Sequence, residues 1–165
     1  MDITNQNIER DFHHSHPDLS QITDELYISS LPKSENVEHI LSLGIRLVIS
    51  MPLPRAPEVF RQPPMQFVHC PSLDSRFTPI PMFILRRGVL AALPVIEAGN
   101  SVLVHCKAGV HRSVAMACCI LIAMGYTAEN AMQLVKEKRD KADPYIPYIR
   151  KRIEKFGEYW SENHV

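Results

Sequence analysis

The stretch VLVHCKAGVHRSVAM, residues 102–116, decides the fold prediction because three kinds of local structure meet within it. The residues before His105 are apolar, as in a buried strand. A tight loop follows from Cys106 to Arg112, and an apolar helix begins at Ser113. A chain that turns over in so few residues points several backbone N–H groups at one place, and the helix adds the positive end of its dipole. The stretch therefore predicts a binding site for a phosphate-like dianion.

Two residues of this loop carry the predicted chemistry. Arg112 can clamp two phosphate oxygens with its planar guanidinium. The electropositive loop favours the thiolate form of Cys106. A thiolate at the base of a phosphate-binding loop can attack phosphorus and form a covalent bond to the phosphoryl group. The hydroxyl of Ser113 either donates to the Cys106 sulfur and helps it to leave, or caps the helix, or does both. The predicted phosphate ligands are the backbone amides of Lys107, Ala108, Gly109, Val110, His111 and Arg112.

A second C-x5-R pattern, residues 70–76 within HCPSLDSRF, shows that the spacing alone is weak evidence. This copy has no glycine for a tight turn and contains Pro71. It would also place Asp74 among the amides that are meant to face an anion. We therefore assign the phosphate loop to the Cys106 copy, which has Gly109 inside the loop and a helix behind it.

The four cysteines are not spaced like a disulfide framework or a zinc site. Cys118 and Cys119 fall within the apolar helix and are predicted to be core residues. Cys70 has two interpretations. It is either a packing residue without a chemical role at the end of a strand, or a partner thiol that traps oxidised Cys106 in a reversible disulfide.

The signature HCKAGVHRS resembles the HCxxGxxRS motif of the cysteine-dependent protein phosphatases, and the chain resembles their small dual-specificity members over residues 22–156. The resemblance implies that Cys106 is the nucleophile. It also implies that His105 supports the loop by hydrogen bonding and tunes the cysteine. Asp74, which lies 32 residues before Cys106, has the spacing of the family's general acid. The alternative is that Asp74 only makes a turn or caps a helix.

Such a site would hydrolyse a phosphomonoester in two steps, with no metal or other cofactor. Cys106 attacks phosphorus while Asp74 protonates the leaving oxygen, and Asp74 then activates the water that hydrolyses the cysteinyl-phosphate. By resemblance, the substrates are proteins that carry phosphotyrosine and phosphoserine or phosphothreonine. Two alternatives stay open. One is a phosphoinositide phosphatase, because Lys107 and His111 are basic although Val110 is not, and the other is a non-catalytic phosphate-binding module.

The composition gives no sign of a nucleic-acid or membrane-surface partner. The 18 Lys and Arg residues are balanced by 18 Asp and Glu residues, so there is no basic excess. The longest apolar run, residues 114–124, is shorter than the about 20 residues that span a bilayer. The N-terminus lacks the apolar core of a signal peptide. We expect a cytoplasmic protein without membrane insertion, where a nucleophilic cysteine stays reduced, and the sequence does not predict its oligomeric state.

Strands and helices alternate along the chain, which predicts one α/β domain over residues 21–165 after an N-terminal arm at residues 1–20. The predicted strands lie at residues 22–29, 45–51, 65–70 and 101–105, in a mainly parallel sheet of about four or five strands with helices on both faces. The phosphate site is expected at the carboxyl ends of the strands. Within the arm we predict a solvated cluster of histidines: His13, His14 and His16.

Three further predictions concern single helices. A helix over residues 79–98 is expected to kink or to split its last turn at Pro94, and to bury a stripe formed by Phe83, Ile84, Val89, Leu90, Leu93 and Ile96. Thr127 is expected to cap the next helix, whose end carries a solvated run of cations formed by Lys136, Lys138, Arg139 and Lys141. The stretch DPYIPYIRKRI, which opens the last helix near Pro147, departs from the Asn and Phe of the family's pattern, so that support of the phosphate loop and substrate preference stay open there.

Overall fold

The computed structural model describes residues 17–164, and a five-stranded sheet lies at its centre. The sheet has the order β1-β2-β5-β3-β4, in which β1 runs antiparallel to β2 and all other neighbours are parallel. The predicted fold class, a mainly parallel α/β domain, is confirmed. The strands are β1 Leu19–Gln21, β2 Leu26–Ser29, β3 Ile45–Ser50, β4 Gln66–His69 and β5 Ser101–His105.

Helices cover both faces of the sheet. Along β5, Val102 and Val104 belong to one hydrophobic core and Leu103 belongs to another, as expected when successive side chains point to opposite faces. No helix in the described part of the chain combines the length and the apolar character that a membrane crossing requires. The helices are α1 Val37–Ser42, α2 Met82–Glu97, α3 Arg112–Ala123, α4 Ala128–Lys138 and α5 Pro147–Asn163.

The helix α3 is the centre of the larger core. Every residue from Arg112 to Ile122 is buried, which is the arrangement expected for a helix that is apolar on all sides. Cys118 and Cys119 are fully buried, as predicted. Because β5 ends at His105 and α3 begins at Arg112, the intervening loop lies at the carboxyl edge of the sheet.

Two predicted helix starts are confirmed. The Thr127 hydroxyl accepts a hydrogen bond from the backbone N–H of Asn130 at 3.1 Å, which is an N-cap contact. Pro147 occupies the first turn of α5, where its missing N–H costs nothing. The amphipathic face of α5 then buries Ile149, Ile153 and Phe156.

The predicted buried face of α2 is partly wrong. Phe83 is 70% exposed and Leu90 is 43% exposed, because the helix packs through a stripe that includes Gly88 and Ala92. A Cβ atom at Gly88 would lie only 2.5 Å from the sulfur of Met116, so the absence of a side chain permits close packing of α2 on α3. The helix also does not split at Pro94, which lies inside it.

The boundary between arm and domain was predicted after residue 20, but the first strand already begins at Leu19. Residues 19–21 form β1, which pairs with residues 27–29 of β2. The strand predicted at residues 22–29 begins only at Leu26, because a turn precedes it in which the N–H of Ile22 donates to the Leu26 carbonyl at 2.8 Å. The remaining arm prediction, including the histidine cluster, concerns residues outside those described.

Candidate active site

The sulfur of Cys106 lies at the floor of the loop between β5 and α3. The backbone N–H of Gly109 donates to it at 3.2 Å, and the hydroxyl oxygen of Ser113 lies 3.1 Å from it. Cys106 is only 3% exposed. Donors that converge on a sulfur stabilise its anionic form, so the loop provides the environment that a thiolate nucleophile needs.

Glycine is required at position 109 for two reasons. Its φ of +67° lies in the left-handed region, where a side chain causes strain. A Cβ atom at this position would also lie 2.8 Å from the carbonyl oxygen of Ser29, at the end of β2. The loop can therefore pass the sheet edge and turn its N–H toward Cys106 only with glycine.

The carbonyl groups of the loop are bonded to neighbouring segments. The Lys107 carbonyl accepts from the N–H of Leu31 at 3.2 Å, and the Val110 carbonyl accepts from the N–H of Asp143 at 3.0 Å. In a trans peptide unit the N–H points opposite to the C=O. The N–H groups of Ala108 and His111, which share these two peptide units, therefore point away from those neighbours.

Arg139 holds the third carbonyl of the loop, and here the sequence prediction is wrong. We expected a solvated side chain, but Arg139 is 3% exposed because the end of α4 turns toward the phosphate loop. Its Nε donates to the Gly109 carbonyl at 2.8 Å, and its Nη2 donates to a carboxylate oxygen of Asp18 at 2.9 Å. A single guanidinium thus ties the loop to the segment that precedes β1. The other members of the run, Lys136, Lys138 and Lys141, are exposed as predicted.

Asp18 is held in its charged form by these contacts. Partial burial raises its pKa, but the hydrogen bonds from Arg139 and Lys141 lower it more, to about 2. Because the pKa is below that of the unfolded chain, Asp18 stabilises the fold above about pH 4 and loses this effect as the pH falls towards 2.

Replacing Asp18 with asparagine should therefore lower the melting temperature by a few degrees near neutral pH, and the difference should shrink to nothing near pH 2. Thermal unfolding followed by circular dichroism across this range measures the effect. The exposed Asp140, replaced by asparagine, is the matched control and should leave the melting temperature unchanged. A difference from wild type that is constant with pH would contradict the role given to the Asp18 charge.

Arg112 lies buried above the loop at 8% exposure. Its Nη1 donates to the Ser72 carbonyl at 2.8 Å, which fixes one edge of the guanidinium. Its Nε is buried and has no hydrogen-bond partner within residues 17–164. A buried donor without an acceptor is costly, and an anionic oxygen in the cup would satisfy it.

His105, the last residue of β5, is fully buried directly before the loop. Burial lowers its pKa to about 4, so the ring is neutral at physiological pH. Its Nδ1 lies 3.3 Å from the carbonyl oxygen of Cys106, and a neutral ring makes this contact as a donor only if Nδ1 carries the proton. This geometry agrees with a supporting residue rather than with a base for the thiol.

The carboxylate of Asp74 lies beside the loop. One of its oxygens is 3.1 Å from Nδ1 of His111, and the other accepts a hydrogen bond from the hydroxyl of Tyr148 at 2.9 Å. Burial and the neighbouring Asp74 raise the pKa of Tyr148 to about 12, so its phenol stays a donor. Sequence reasoning missed Tyr148, and the only signal was the departure of this stretch from the family's pattern.

Two of the predicted catalytic side chains, those of Asp74 and Arg112, line one cleft of about 450 Å³. Asp74, Lys107 and Arg112 all line it, so the structure brings together residues from the β4–α2 segment and from the phosphate loop. Leu53 and Leu73 also line it and are 57% and 47% exposed. The cleft is therefore an open, partly apolar groove with an anion-binding end.

Cys70, the cysteine of the second C-x5-R pattern, is fully buried and carries a free thiol. Burial raises its pKa to about 11. Since disulfide exchange requires a thiolate, this environment favours the interpretation of Cys70 as a packing residue.

Comparisons with known proteins agree with this geometry. Residues 26–156 match the family model described as the dual specificity phosphatase catalytic domain. Human dual specificity protein phosphatase 9 is 29% identical over 137 residues, which are 78% of this chain and 34% of that protein, so the chain spans about a third of its length. Dual specificity protein phosphatase 1B of Arabidopsis thaliana is 30% identical over 145 residues, which are 80% of this chain and 78% of that protein.

Among solved structures, that of PTPMT1 in complex with PI(5)P has a TM-score of 0.80 at 20% identity and covers 90% of this chain and 99% of that one. At this identity the likeness concerns the fold alone. The family match covers most of the described chain and includes the cysteine loop, the aspartate and the first part of the last helix. The chain therefore belongs to the dual specificity phosphatase family and is a cysteine-dependent phosphatase.

Proposed function

We propose that this protein removes phosphate from phosphotyrosine and from phosphoserine or phosphothreonine in protein substrates. The observation that carries the proposal is the convergence of the Gly109 N–H and the Ser113 hydroxyl on the Cys106 sulfur. A non-catalytic phosphate-binding loop has no need for a sulfur with two donors. We further propose a cytoplasmic location, because the nucleophile must stay reduced.

In the first step the Cys106 thiolate attacks phosphorus, an S–P bond forms and the P–O bond to the substrate breaks. Asp74 supplies the proton that the leaving oxygen takes up and becomes a carboxylate. Charge on the equatorial oxygens is stabilised by Arg112 and by the loop amides, which are in place before the reaction begins. The supporting amides are those of Lys107, Ala108, Gly109, Val110, His111 and Arg112.

In the second step water attacks the phosphorus of the cysteinyl-phosphate. Asp74 now accepts a proton from that water, the S–P bond breaks, and the sulfur leaves as a thiolate. The Ser113 hydroxyl, 3.1 Å from the sulfur, can donate to it as negative charge develops. Inorganic phosphate is released and the starting form of the site is restored.

The shape of the catalytic cleft supports dual specificity. A deep, narrow pocket would admit only the long phosphotyrosine side chain, whereas this cleft is open and is lined by exposed Leu31, Leu53 and Leu73. Shorter phosphoserine and phosphothreonine side chains can then bring their phosphate to the loop while the peptide packs on these leucines.

A second candidate is a phosphoinositide phosphatase. Lys107 and Arg55 line the catalytic cleft and add positive charge that a multiply phosphorylated headgroup would use. PTPMT1, which shares the fold, was solved in complex with PI(5)P. Protein substrates are favoured because Val110, inside the loop, supplies no further charge.

The test is a rate comparison on matched substrates. Phosphotyrosine, phosphoserine and phosphothreonine peptides of one sequence are compared with soluble inositol phosphates and with PI(5)P in micelles, by phosphate release. We expect kcat/KM to be highest for the peptides. A higher value for the inositol compounds would replace the proposal by the lipid-directed one.

Tyr148 is expected to act as a positioning residue for Asp74. Replacing it with phenylalanine removes the hydrogen bond to the carboxylate and should lower kcat for a phosphotyrosine peptide by about three- to tenfold. Added to an Asp74→Asn variant, the same change should have little further effect, because Tyr148 is expected to act through Asp74 and not through the other contact of its hydroxyl, with Nδ1 of His111 at 3.1 Å. Tyr145→Phe, three residues earlier and partly exposed, is the matched control. Equal losses in both backgrounds would give Tyr148 a purely structural role.

A further inference from the structure

A second cleft has a volume of about 800 Å³, and one of its lining residues is hydrogen-bonded to a lining residue of the catalytic cleft. Tyr148 lines this second cleft, Asp74 lines the catalytic one, and the Tyr148 hydroxyl donates to the Asp74 carboxylate at 2.9 Å. A substrate whose phosphate occupies the Cys106 loop would therefore have its neighbouring residues within reach of the second cleft. We call it the basic cleft, after its four cationic lining residues: Arg76, Lys151, Arg152 and Lys155.

The charge of the basic cleft is not neutralised by the protein. No aspartate or glutamate belongs to its lining, and none of its four cationic side chains makes an ion pair within residues 17–164. The chain as a whole has no net charge. Four unpaired cations around one concavity are therefore a local feature, and they create a potential that attracts an anionic partner.

Arg152 gives an independent sign of a ligand. Its Nε is buried and has no hydrogen-bond acceptor anywhere in the described chain. A buried donor of this kind costs free energy unless something accepts from it. A carboxylate or phosphate in the cleft would be such an acceptor, because guanidinium groups pair well with planar or tetrahedral oxyanions.

The apolar part of the cleft points to a protein segment as the occupant. Phe77 is 81% exposed, and the guanidinium of Arg76 lies 4.7 Å from the centre of its ring. Ile146 and Pro147 line the same concavity. An exposed aromatic side chain beside arginine is the combination that is enriched in protein–protein contacts. A bilayer surface would meet the outer rim of a concavity of this kind rather than fill it.

We propose that the basic cleft binds an acidic segment of the phosphoprotein substrate that adjoins the phosphorylated residue. The proposal rests on the protein phosphatase function proposed above and adds a preference to it. Acidic side chains would pair with Lys151, Arg152 and Lys155, while apolar side chains of the segment pack on Phe77. The C-x5-R pattern of residues 70–76 contributes to this site through its arginine, although it is not a phosphate loop.

The test compares two phosphotyrosine peptides of equal length. One has aspartate and glutamate on both sides of the phosphorylated residue, and the other has asparagine and glutamine at the same positions. We expect the acidic peptide to have a kcat/KM about tenfold higher at low salt, and we expect this ratio to fall with ionic strength. The ratio is the measured quantity because it cancels any general change in catalysis.

Lys151→Glu and Lys155→Glu should each lower the ratio about threefold, and the double variant should bring it to 1 or below. Arg61→Glu makes the same change of charge at an exposed position that lines neither cleft, and it should keep the wild-type ratio. Thermal unfolding shows whether each variant is folded.

A wild-type ratio of 1, or a ratio that survives in the Lys151→Glu/Lys155→Glu double variant, would overturn the inference. A different result would also overturn it: the wild type binds phosphatidylserine vesicles, the double variant does not, and the ratio of kcat/KM between the two peptides is 1. Failure of the proposed function has another signature. Neither peptide would then be hydrolysed although para-nitrophenyl phosphate is, and both proposals would fall together.

Discussion

Replacing Cys106 with serine should lower kcat for every phosphomonoester by at least about 10⁴-fold. The Gly109 N–H and the Ser113 hydroxyl stabilise a charged sulfur, but a serine hydroxyl at the same place stays protonated and is a poor nucleophile. The arginine and the loop amides are unchanged in this variant. Phosphate or a phosphopeptide should therefore still bind to the variant. Hydrolysis of para-nitrophenyl phosphate between pH 5 and 8 and titration calorimetry with a phosphopeptide measure the two effects.

Cys70→Ser is the matched control because Cys70 belongs to the other C-x5-R pattern of the chain. It is fully buried, next to Gly88. The variant is expected to lose some stability, since a hydroxyl replaces a packed thiol, but to keep its activity per folded molecule. If wild type and Cys106→Ser were equally inactive across this pH range while both bound phosphate, the non-catalytic binding module would be the better interpretation.

Asp74→Asn should lower kcat by about 10²- to 10³-fold for a phosphotyrosine peptide, and far less for an ester with a good leaving group. An amide cannot give a proton to the leaving oxygen, and a tyrosine phenolate with a pKa near 10 leaves slowly without one. The hydrogen bond from Tyr148 and the contact with His111 hold the carboxylate beside the loop at 2.9 and 3.1 Å, which is the placement that this role needs.

A series of aryl phosphates whose phenols differ in pKa separates this role from a structural one. For the wild type, log kcat should depend little on the leaving group, whereas for Asp74→Asn it should fall steeply as the phenol becomes more basic. Asp140→Asn, the same chemical change at an exposed site, should follow the wild type. A uniform loss across the series would mean that Asp74 only orders the loop through its contacts with His111 and Tyr148.

The catalytic loop could be predicted because its determinants are contiguous in the chain. A strand, a glycine, an arginine, a serine and a helix follow one another within residues 102–116, and each has a local physical reason. The glycine is required by its positive φ and by its contact with β2, as a tight loop implies. The second C-x5-R pattern was distinguished by the same local reasoning, since it lacks that glycine.

The supporting residues could not be predicted in this way because their partners are distant in the chain. Arg139 contacts Asp18 across 121 positions, and Tyr148 contacts Asp74 across 74 positions. A cation at the end of a helix has a sufficient local explanation in the helix dipole. Nothing near Arg139 in the sequence signals that it turns inward.

The errors in the fold prediction have a similar origin. The strand β1 is only three residues long, LSQ, and it is specified by its pairing with β2 rather than by its own pattern. In α2 the choice of the buried face depends on the close approach of Gly88 to Met116. Hydrophobicity alone favours Phe83 and Leu90 on that face, and the small residue that decides the packing carries no such signal.

Arg139 donates hydrogen bonds to both Asp18 and the Gly109 carbonyl, and this connection affects how the domain should be produced for experiments. The family model begins to match at residue 26, so a gene trimmed to that match would omit β1 and the aspartate. The guanidinium would then be buried without its counter-charge, directly behind the loop that carries the nucleophile. Such a shortened protein would retain all of its catalytic side chains and still be a slow, easily unfolded enzyme, and cloning boundaries should therefore be drawn upstream of residue 18.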